Sequence, residues 1–162
     1  MTELYQEGRI RAIGVCNFNS DRLVDFVMNN ELPPAINQVE FHPYFQQKKA
    51  EEIMREYDVQ MEAWSPLGHG GKGILENDVL VSIGKRYGKT PAQIILRWDI
   101  ERGIATIPKS VRKERIEENF DVFDFHLTTE EITAIDQLDR NDHIADLTDV
   151  ELIKKLNQLK VR

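Results

Sequence analysis

Short apolar segments alternate with amphipathic, helix-like segments along most of this chain, and this alternation constrains the fold more than any other feature. Each apolar segment ends at a polar or proline-containing tip. Strands that alternate with helices at this spacing predict parallel βαβ units and an α/β fold. The predicted strands are residues 10–15, 35–41, 59–64 and 104–107.

Start signals mark several of the helices that separate these strands. Thr90 with Gln93, and Thr128 with Glu131, have the spacing of a capping box. Ser20 is the expected N-cap of the helix after the first strand. The other predicted helices are residues 48–57, 79–87, 111–119 and an amphipathic segment at 150–161.

The tips of the predicted strands carry the candidate functional residues. In a parallel α/β fold the carboxyl ends of the strands share one rim, and ligands bind there. No G-x-G-x-x-G follows the first strand, which disfavours a Rossmann fold. The glycine-rich residues 68–73 are interpreted as a loop over this rim. The groups expected to converge are Cys16-Asn17, residues 38–42, residues 64–67 and Lys109-Ser110.

The tip of the fourth strand indicates a phosphate site. Pro108 ends the strand, Lys109 and Ser110 follow, and a charged helix begins soon after. Free N–H groups and the helix dipole favour an anion at such a junction. Arg115 and Asn119 lie one turn apart on the same face of that helix. A nucleotide phosphate is the simplest ligand; a solvated lysine and arginine near a helix start is the alternative.

Size and charge limit the possible classes of protein. The 162 residues suit a single domain, with a helical tail at about 142–162. A net charge of −7 argues against general nucleic-acid binding. Cys16 is the only cysteine, so no intrachain disulfide can form, and no leader or membrane-spanning segment is recognised. We therefore expect a cytoplasmic protein without a membrane partner.

Ordered motifs in the chain resemble the C-terminal half of an aldo-keto reductase, from about Leu4 to Arg140. The resemblance implies an aldo-keto reductase type (β/α)8 TIM barrel, of which these residues supply about the last four βα units. It also implies NADPH-dependent reduction of aldehydes or ketones to alcohols. The motifs are GRIRAIGVCNF at 8–18, NQVEFHPY at 37–44, AWSPLG at 63–68, IPKS at 107–110 and RIEEN at 115–119.

The resemblance implies a role for each residue at the nicotinamide end of the cofactor. Asn17 and Gln38 would hold the carboxamide of the nicotinamide. Cys16 stands where the family usually has serine, so its hydrogen bond would be weaker or lost. Trp64 would stack on the nicotinamide ring. The pyrophosphate would contact Ser65 and Leu67.

The resemblance assigns the other end of the cofactor to the motif already read as a phosphate site. Lys109, Ser110 and Arg115 would bind the 2′-phosphate of the adenosine, and Glu118 and Asn119 would lie near the adenine. Two cations that converge on this phosphate favour NADPH over NADH.

The resemblance assigns no catalytic residue to this chain. The aspartate, tyrosine, lysine and histidine of the family come from the first four strands, so the chain alone is expected to be inactive. A small carbonyl substrate is expected only if a complete barrel forms. Open edges and an uncovered apolar inner face would favour self-association or pairing with a separate N-terminal half, unless the chain is a truncated product of marginal solubility.

Several alternatives stay open from the sequence. The chain could bind a nucleotide or a partner without chemistry, or it could be an unrelated phosphate-binding barrel such as a sugar-phosphate isomerase. Glu40 and Glu62 could pair with lysines inside a barrel, and Asn37 and Gln38 could only satisfy backbone groups. The histidines lack the spacing of metal ligands. The tail helix is expected to dock on an apolar surface or on the outer helices, through Leu152, Ile153, Leu156 and Leu159.

Overall fold

The computed structural model describes residues 1–71, 73–147 and 149–158, in which strands and helices alternate as the sequence predicts. A short 3₁₀ helix at Gly68–Gly70 begins the glycine-rich loop. The strands are β1 (Gly14–Cys16), β2 (Ile36–Glu40), β3 (Gln60–Trp64) and β4 (Ala105–Thr106). The helices are α1 (Thr2–Gln6), α2 (Ser20–Asn29), α3 (Lys48–Glu56), α4 (Asp78–Tyr87), α5 (Pro91–Glu101), α6 (Lys113–Phe120), α7 (Thr129–Asp136) and α8 (Val150–Gln158).

The four strands form one parallel sheet in the order β1-β2-β3-β4. This confirms the predicted parallel βαβ units. Within the described residues, β1 and β4 are the two edges of the sheet, so the expected open edges are present. The register aligns Cys16 with Gln38 and Gln38 with Glu62, which places these side chains in one row across the sheet.

The two faces of the sheet differ in burial. Val39, Met61 and Ala63 are buried and belong to the hydrophobic core on the helical side. Because side chains alternate along a strand, Gln38 and Glu62 point to the opposite face and are only half-buried. The expectation of an uncovered apolar inner face is therefore wrong at the centre of the sheet, where the half-buried row of Gln38 and Glu62 is polar.

Helix α5 lies at the centre of the core and is buried along most of its length. Trp98 stacks on Phe41 with ring centroids 5.2 Å apart, and its Nε1 donates to Asp136 of α7. The predicted capping boxes are both present, at Thr90 before α5 and at Thr128 before α7. These caps fix the start of each helix, because they satisfy backbone N–H groups that the helix leaves free.

Some predicted boundaries were wrong. Asn19 occupies the N-cap of α2, and Ser20 is the first helical residue, without a side-chain cap. Helix α6 begins at Lys113 instead of residue 111, because the Ser110 hydroxyl accepts a hydrogen bond from Arg112 N at 3.1 Å and stabilises a turn there. The first and fourth strands are shorter than predicted, because at the edges of the sheet only these few residues pair with a neighbouring strand.

The tail crosses the rim before it forms α8. The Tyr44 carbonyl accepts from the backbone N–H groups of Arg140 and Asp142, and the Glu40 carboxylate accepts from those of Ile144 and Ala145. No described residue of α8 is buried, so the expected docking of this helix is not observed. Of its predicted apolar positions, Leu152 is half-buried, Ile153 and Leu156 are exposed, and Leu159 lies outside the described residues.

Candidate functional site

The segment after β1 is fixed by a buried asparagine. Asn37 is fully buried on β2; its Oδ1 accepts from Phe18 N at 3.3 Å and its Nδ2 donates to Phe18 O at 2.8 Å. Asn17 N donates to the Gln38 carbonyl at 2.8 Å. Asn17 has a φ of 57°, a left-handed conformation that asparagine tolerates better than most residues. These contacts hold the Asn17 side chain at the rim.

The side chain of Asn17 also accepts a hydrogen bond from a residue of β3. The indole Nε1 of Trp64, the last residue of β3, donates to Asn17 Oδ1 at 2.7 Å. Trp64 is half-buried, so part of its side chain stays accessible at the rim. The hydrogen bond joins the tips of β1 and β3 across β2.

A second polar connection runs along the row defined by the register. Gln38 Nε2 donates to Glu62 Oε1 at 2.6 Å, and Cys16 Sγ lies 3.9 Å from Gln38 Oε1. Partial burial raises the pKa of the Cys16 thiol, and the negative charge of Glu62 raises it further. A thiol is a weak hydrogen-bond donor, so this contact with Gln38 is weak.

Beyond Trp64 the rim opens into a cleft of about 540 Å³. Its walls come from the tips of β3 and β4, the glycine-rich loop, the first turn of α5 and one face of α6. The cleft collects the residues that the sequence assigned to the pyrophosphate and adenosine: Ser65, Leu67, Lys109, Ser110, Arg115, Glu118 and Asn119.

The positive and negative side chains in this cleft differ in whether they already have a partner. Lys109 and Arg115 are exposed, and neither forms a salt bridge with any carboxylate of the described residues. The Glu118 carboxylate accepts a hydrogen bond from the Thr90 hydroxyl at 2.6 Å. The two cations therefore remain available to a ligand anion, while the nearby acid is already bound at the start of α5.

Sequence reasoning gave no role in the site to two residues that organise it: Glu62, and Thr90 as the partner of Glu118. The alternative that Asn37 satisfies backbone groups is confirmed, because its side chain binds Phe18 N and O. The period of two along a strand, together with the parallel register, could have placed Glu62 beside Gln38. Glu40 and Glu62 form no salt bridge with a lysine of the described residues. Glu62 binds Gln38, and Glu40 lies 3.2 Å from His42.

The described parts of the chain contain no group of three or more histidine, cysteine, aspartate or glutamate residues that could hold a metal ion. Across the same residues, no helix has the length and apolarity needed to cross a membrane.

Comparison with curated proteins finds relatives that are twice as long. The chain is 48% identical over 145 residues to 9,11-endoperoxide prostaglandin H2 reductase of Trypanosoma cruzi, covering 89% of this chain and 51% of the relative. It is 44% identical over 144 residues to glyoxal reductase of Bacillus subtilis, with coverage of 89% and 51%. For methylglyoxal reductase DkgA of Escherichia coli K12 the identity is 45% over 140 residues, with coverage of 86% and 51%.

Solved structures also match this chain over about half of their own length. MGS-M4, an aldo-keto reductase from a Medee basin deep-sea metagenome library, matches with a TM-score of 0.88 and 40% identity, covering 92% of this chain and 55% of that one. A Bombyx mori aldo-keto reductase in complex with NADP matches with a TM-score of 0.86 and 36% identity, covering 93% and 52%.

These neighbours are (β/α)8 barrels, so the parallel four-stranded sheet corresponds to about half of such a barrel. The chain spans about half the length of the curated relatives it matches. The family model described as "Aldo/keto reductase family" matches residues 1–140. Since that match includes the strand tips and the cleft beside them, the chain belongs to the aldo/keto reductase family.

Proposed function

We propose that this chain forms the cofactor-binding half of an NADPH-dependent oxidoreductase that reduces aldehydes or ketones to alcohols. The observation that carries the proposal is the arrangement along the rim. Two side-chain amides and an indole lie at one end. The adjoining cleft holds two cations that have no carboxylate partner among the residues that the structure describes. When bound, NADPH would supply the hydride; the residues of this chain bind and orient it.

The residues at the rim fit the nicotinamide end of that cofactor. Asn17 and Gln38 present amide groups that can pair with a carboxamide, and Trp64 offers a half-buried aromatic surface for the ring. The weak thiol of Cys16 adds little to this pairing.

The cleft fits the phosphates of the same cofactor. Ser65 and Leu67 line it beside the indole, and Ser110 lies between the cations Lys109 and Arg115 along the chain. Because NADPH, unlike NADH, carries a 2′-phosphate on the adenosine ribose, two cations at that position favour it over NADH. Asn119 and Glu118 line the same wall of α6, where the adenine is proposed to bind.

Small reactive carbonyl compounds are the proposed substrates, since two of the relatives are named glyoxal and methylglyoxal reductases. The 162 residues by themselves are proposed to bind cofactor but to turn over little substrate. The Tyr44 hydroxyl donates to Gly73 O and the Tyr87 hydroxyl to Glu131, so neither is placed to protonate a carbonyl beside the nicotinamide. Completion of the barrel through the edges β1 and β4 is part of the proposal, by an N-terminal half or by a second copy.

Fluorescence titration with NADPH and NADH tests the cofactor assignment. We expect saturable binding of NADPH and at least about tenfold weaker binding of NADH, because the cleft offers two cations to the extra phosphate. NADPH oxidation with methylglyoxal should stay near the background rate. Absence of NADPH binding would contradict the proposal and favour an interaction module; family-like turnover would contradict the proposed inactivity of these residues alone.

A further inference from the structure

We propose that Glu62 and Trp64 are positioning residues that fix which way the amides of Gln38 and Asn17 face, and thereby select a neutral carboxamide over a carboxylate on the bound pyridine ring. The inference rests on the proposed function, because it requires that the pyridine end of the dinucleotide binds at this rim. Glu62 and Trp64 act through Gln38 and Asn17 and need not touch the ring substituent themselves.

The orientation of Asn17 follows from the chemistry of tryptophan. An indole N–H can only donate a hydrogen bond, so the atom of Asn17 that lies 2.7 Å from Trp64 Nε1 must be the carbonyl oxygen. The Nδ2 group is then left for a ligand, and no described residue accepts a hydrogen bond from it. Asn17 therefore presents a donor at the rim.

The orientation of Gln38 follows from the chemistry of a carboxylate. An ionised carboxylate can only accept, so the atom of Gln38 that lies 2.6 Å from Glu62 Oε1 must be the amide nitrogen. The Oε1 atom then faces away from Glu62, and its only hydrogen-bond partner among the described side chains is the weak thiol donor of Cys16 at 3.9 Å. Gln38 therefore presents an acceptor at the rim.

Backbone geometry keeps the two amides together. The register aligns Gln38 with Glu62, and the Gln38 carbonyl accepts a hydrogen bond from Asn17 N at 2.8 Å. Rotating the Asn17 amide by half a turn would break its hydrogen bond to Trp64 and bring two N–H donors together. Rotating the Gln38 amide would break its hydrogen bond to Glu62 and bring two acceptor oxygens together. The pair of one donor and one acceptor is thus set before any ligand binds.

A primary carboxamide matches this pair, since its oxygen can accept from Asn17 and its NH₂ group can donate to Gln38. A carboxylate in the same position has only acceptors. One of its oxygens would face Gln38 Oε1, with the charge of Glu62 directly behind, and this repulsion would reject the acid. Glu62 therefore contributes selectivity in addition to orientation.

The test compares three probes that share the same phosphate end: NADP⁺, nicotinic acid adenine dinucleotide phosphate, and 2′-phospho-ADP-ribose, which lacks the pyridine ring. Dissociation constants are measured for the wild type, Glu62→Gln, Trp64→Phe and the control Glu52→Gln on the exposed surface of α3. Circular dichroism at the same concentrations shows that each variant is folded.

We expect the wild type and Glu52→Gln to bind NADP⁺ at least about tenfold more tightly than its acid analogue. Glu62→Gln should reduce that ratio to about threefold or less, because a neutral amide allows Gln38 to turn and removes the repelling charge. Trp64→Phe keeps an aromatic ring and loses the donor, so the ratio should also fall. The affinity for 2′-phospho-ADP-ribose should stay within about twofold in every variant.

The outcomes separate this inference from the proposed function. If the wild type binds none of the three probes, both fail. If it binds NADP⁺ but does not distinguish the acid, or if Glu62→Gln keeps the full preference, the positioning role is overturned while the cofactor assignment stands. If Glu62→Gln weakens all three probes equally, Glu62 is only structural and the inference is again overturned.

Discussion

The two ends of the proposed cofactor site are built in opposite ways. At the nicotinamide end, Asn17, Gln38, Glu62 and Trp64 already bind one another and are carried by the tips of neighbouring strands. At the phosphate end, Lys109 and Arg115 are exposed, lie on a loop and on the short α6, and have no carboxylate partner among the described residues.

This difference indicates that the two ends make different contributions to cofactor binding. The nicotinamide end provides selectivity between ligand groups, and the phosphate end provides affinity. Side chains that are already hydrogen-bonded lose little freedom on binding and therefore discriminate between ligand groups by the match of donors and acceptors. Exposed cations lose more freedom but gain a charge-assisted contact with a phosphate, which the neutral 2′-hydroxyl of NADH cannot provide. We therefore expect mutations at the two ends to change different measured quantities.

The largest effect is expected at the phosphate end. The double variant Lys109→Ala/Arg115→Ala removes both cations that face the proposed 2′-phosphate, and should weaken NADPH binding by about 30- to 100-fold. NADH, which lacks this phosphate, should lose little affinity. Titration calorimetry at low and high salt measures both ligands, and the difference between them should shrink as salt screens the charges.

A matched control for this variant lies on the same helix. Lys113 begins α6, is exposed, pairs with Glu117 at 3.6 Å and does not line the cleft. Lys113→Ala should leave NADPH binding within about twofold of the wild type. An equal loss of affinity in the control would mean that general charge, and not the position of Lys109 and Arg115, determines binding.

The next largest effect is expected from the buried support of the nicotinamide end. Asn37→Ala leaves Phe18 N and O without their side-chain partners, and should lower the free energy of unfolding by about 2 kcal/mol. The freed loop should also weaken NADP⁺ binding more than binding of 2′-phospho-ADP-ribose. Urea denaturation and the two titrations measure these changes; equal loss for both ligands would argue against a local role.

The sequence predicted the βαβ order, the capping boxes and most of the residues that line the cleft. These features depend on local patterns, such as Thr90 with Gln93 or the run Lys109-Ser110, which can be recognised without knowledge of distant contacts. The same alternation placed Asn17 and Gln38 at strand tips, and the resemblance to a known family added the role of holding the carboxamide.

The supporting contacts could not be predicted in the same way. The clamp of Asn37 on Phe18 joins residues of different βα units, and the bond from Thr90 to Glu118 joins two helices. Such pairs depend on the exact placement of one element against another, which the sequence pattern does not specify. The polar row of Gln38 and Glu62 requires the register between β2 and β3 in addition to the alternation along each strand, and no register was assigned from the sequence.

A smaller effect is expected at the buried anchor of the phosphate end. Asp99 on α5 is fully buried; its Oδ2 accepts from the Thr106 hydroxyl on β4 at 2.8 Å, and its Oδ1 has no hydrogen-bond partner within the described residues. Burial raises the pKa of this carboxyl well above its usual value, although Thr106 and the charge of Arg102 oppose the shift. The strand that leads to Lys109 is thus anchored by an acid that favours its neutral form.

The sign of the pH dependence follows from the raised pKa. The folded state holds the Asp99 proton more tightly than the unfolded state, so this residue's contribution to stability is present below the unfolded pKa of about 3.9 and is lost as the pH rises towards the folded pKa. Asp99→Asn stays neutral and can still accept from Thr106. It should raise the free energy of unfolding by about 1 kcal/mol at about pH 8 and by less at about pH 5. Urea denaturation at both values measures this; a larger benefit at the lower pH would contradict it.

The smallest effect is expected at Cys16. The reactivity of its thiol measures the environment of the nicotinamide end and requires no enzymatic turnover. Burial and the charge of Glu62 raise the pKa of this thiol, so Glu62→Gln should lower it and increase the thiolate fraction at neutral pH. Alkylation by iodoacetamide should then become about two- to threefold faster, while Glu52→Gln should have no effect. Cys16 is the only cysteine, so intact mass reads its modification directly.

The same reaction compares the two ends of the site in one experiment. NADP⁺ should slow the alkylation of Cys16, because its pyridine end would lie at the tips of β1 and β2. The fragment 2′-phospho-ADP-ribose should leave the rate unchanged, since it would occupy only the cleft between β3 and α6. Equal protection by both ligands would mean that the ends are not separate, because binding in the cleft alone would then alter the row of Cys16, Gln38 and Glu62.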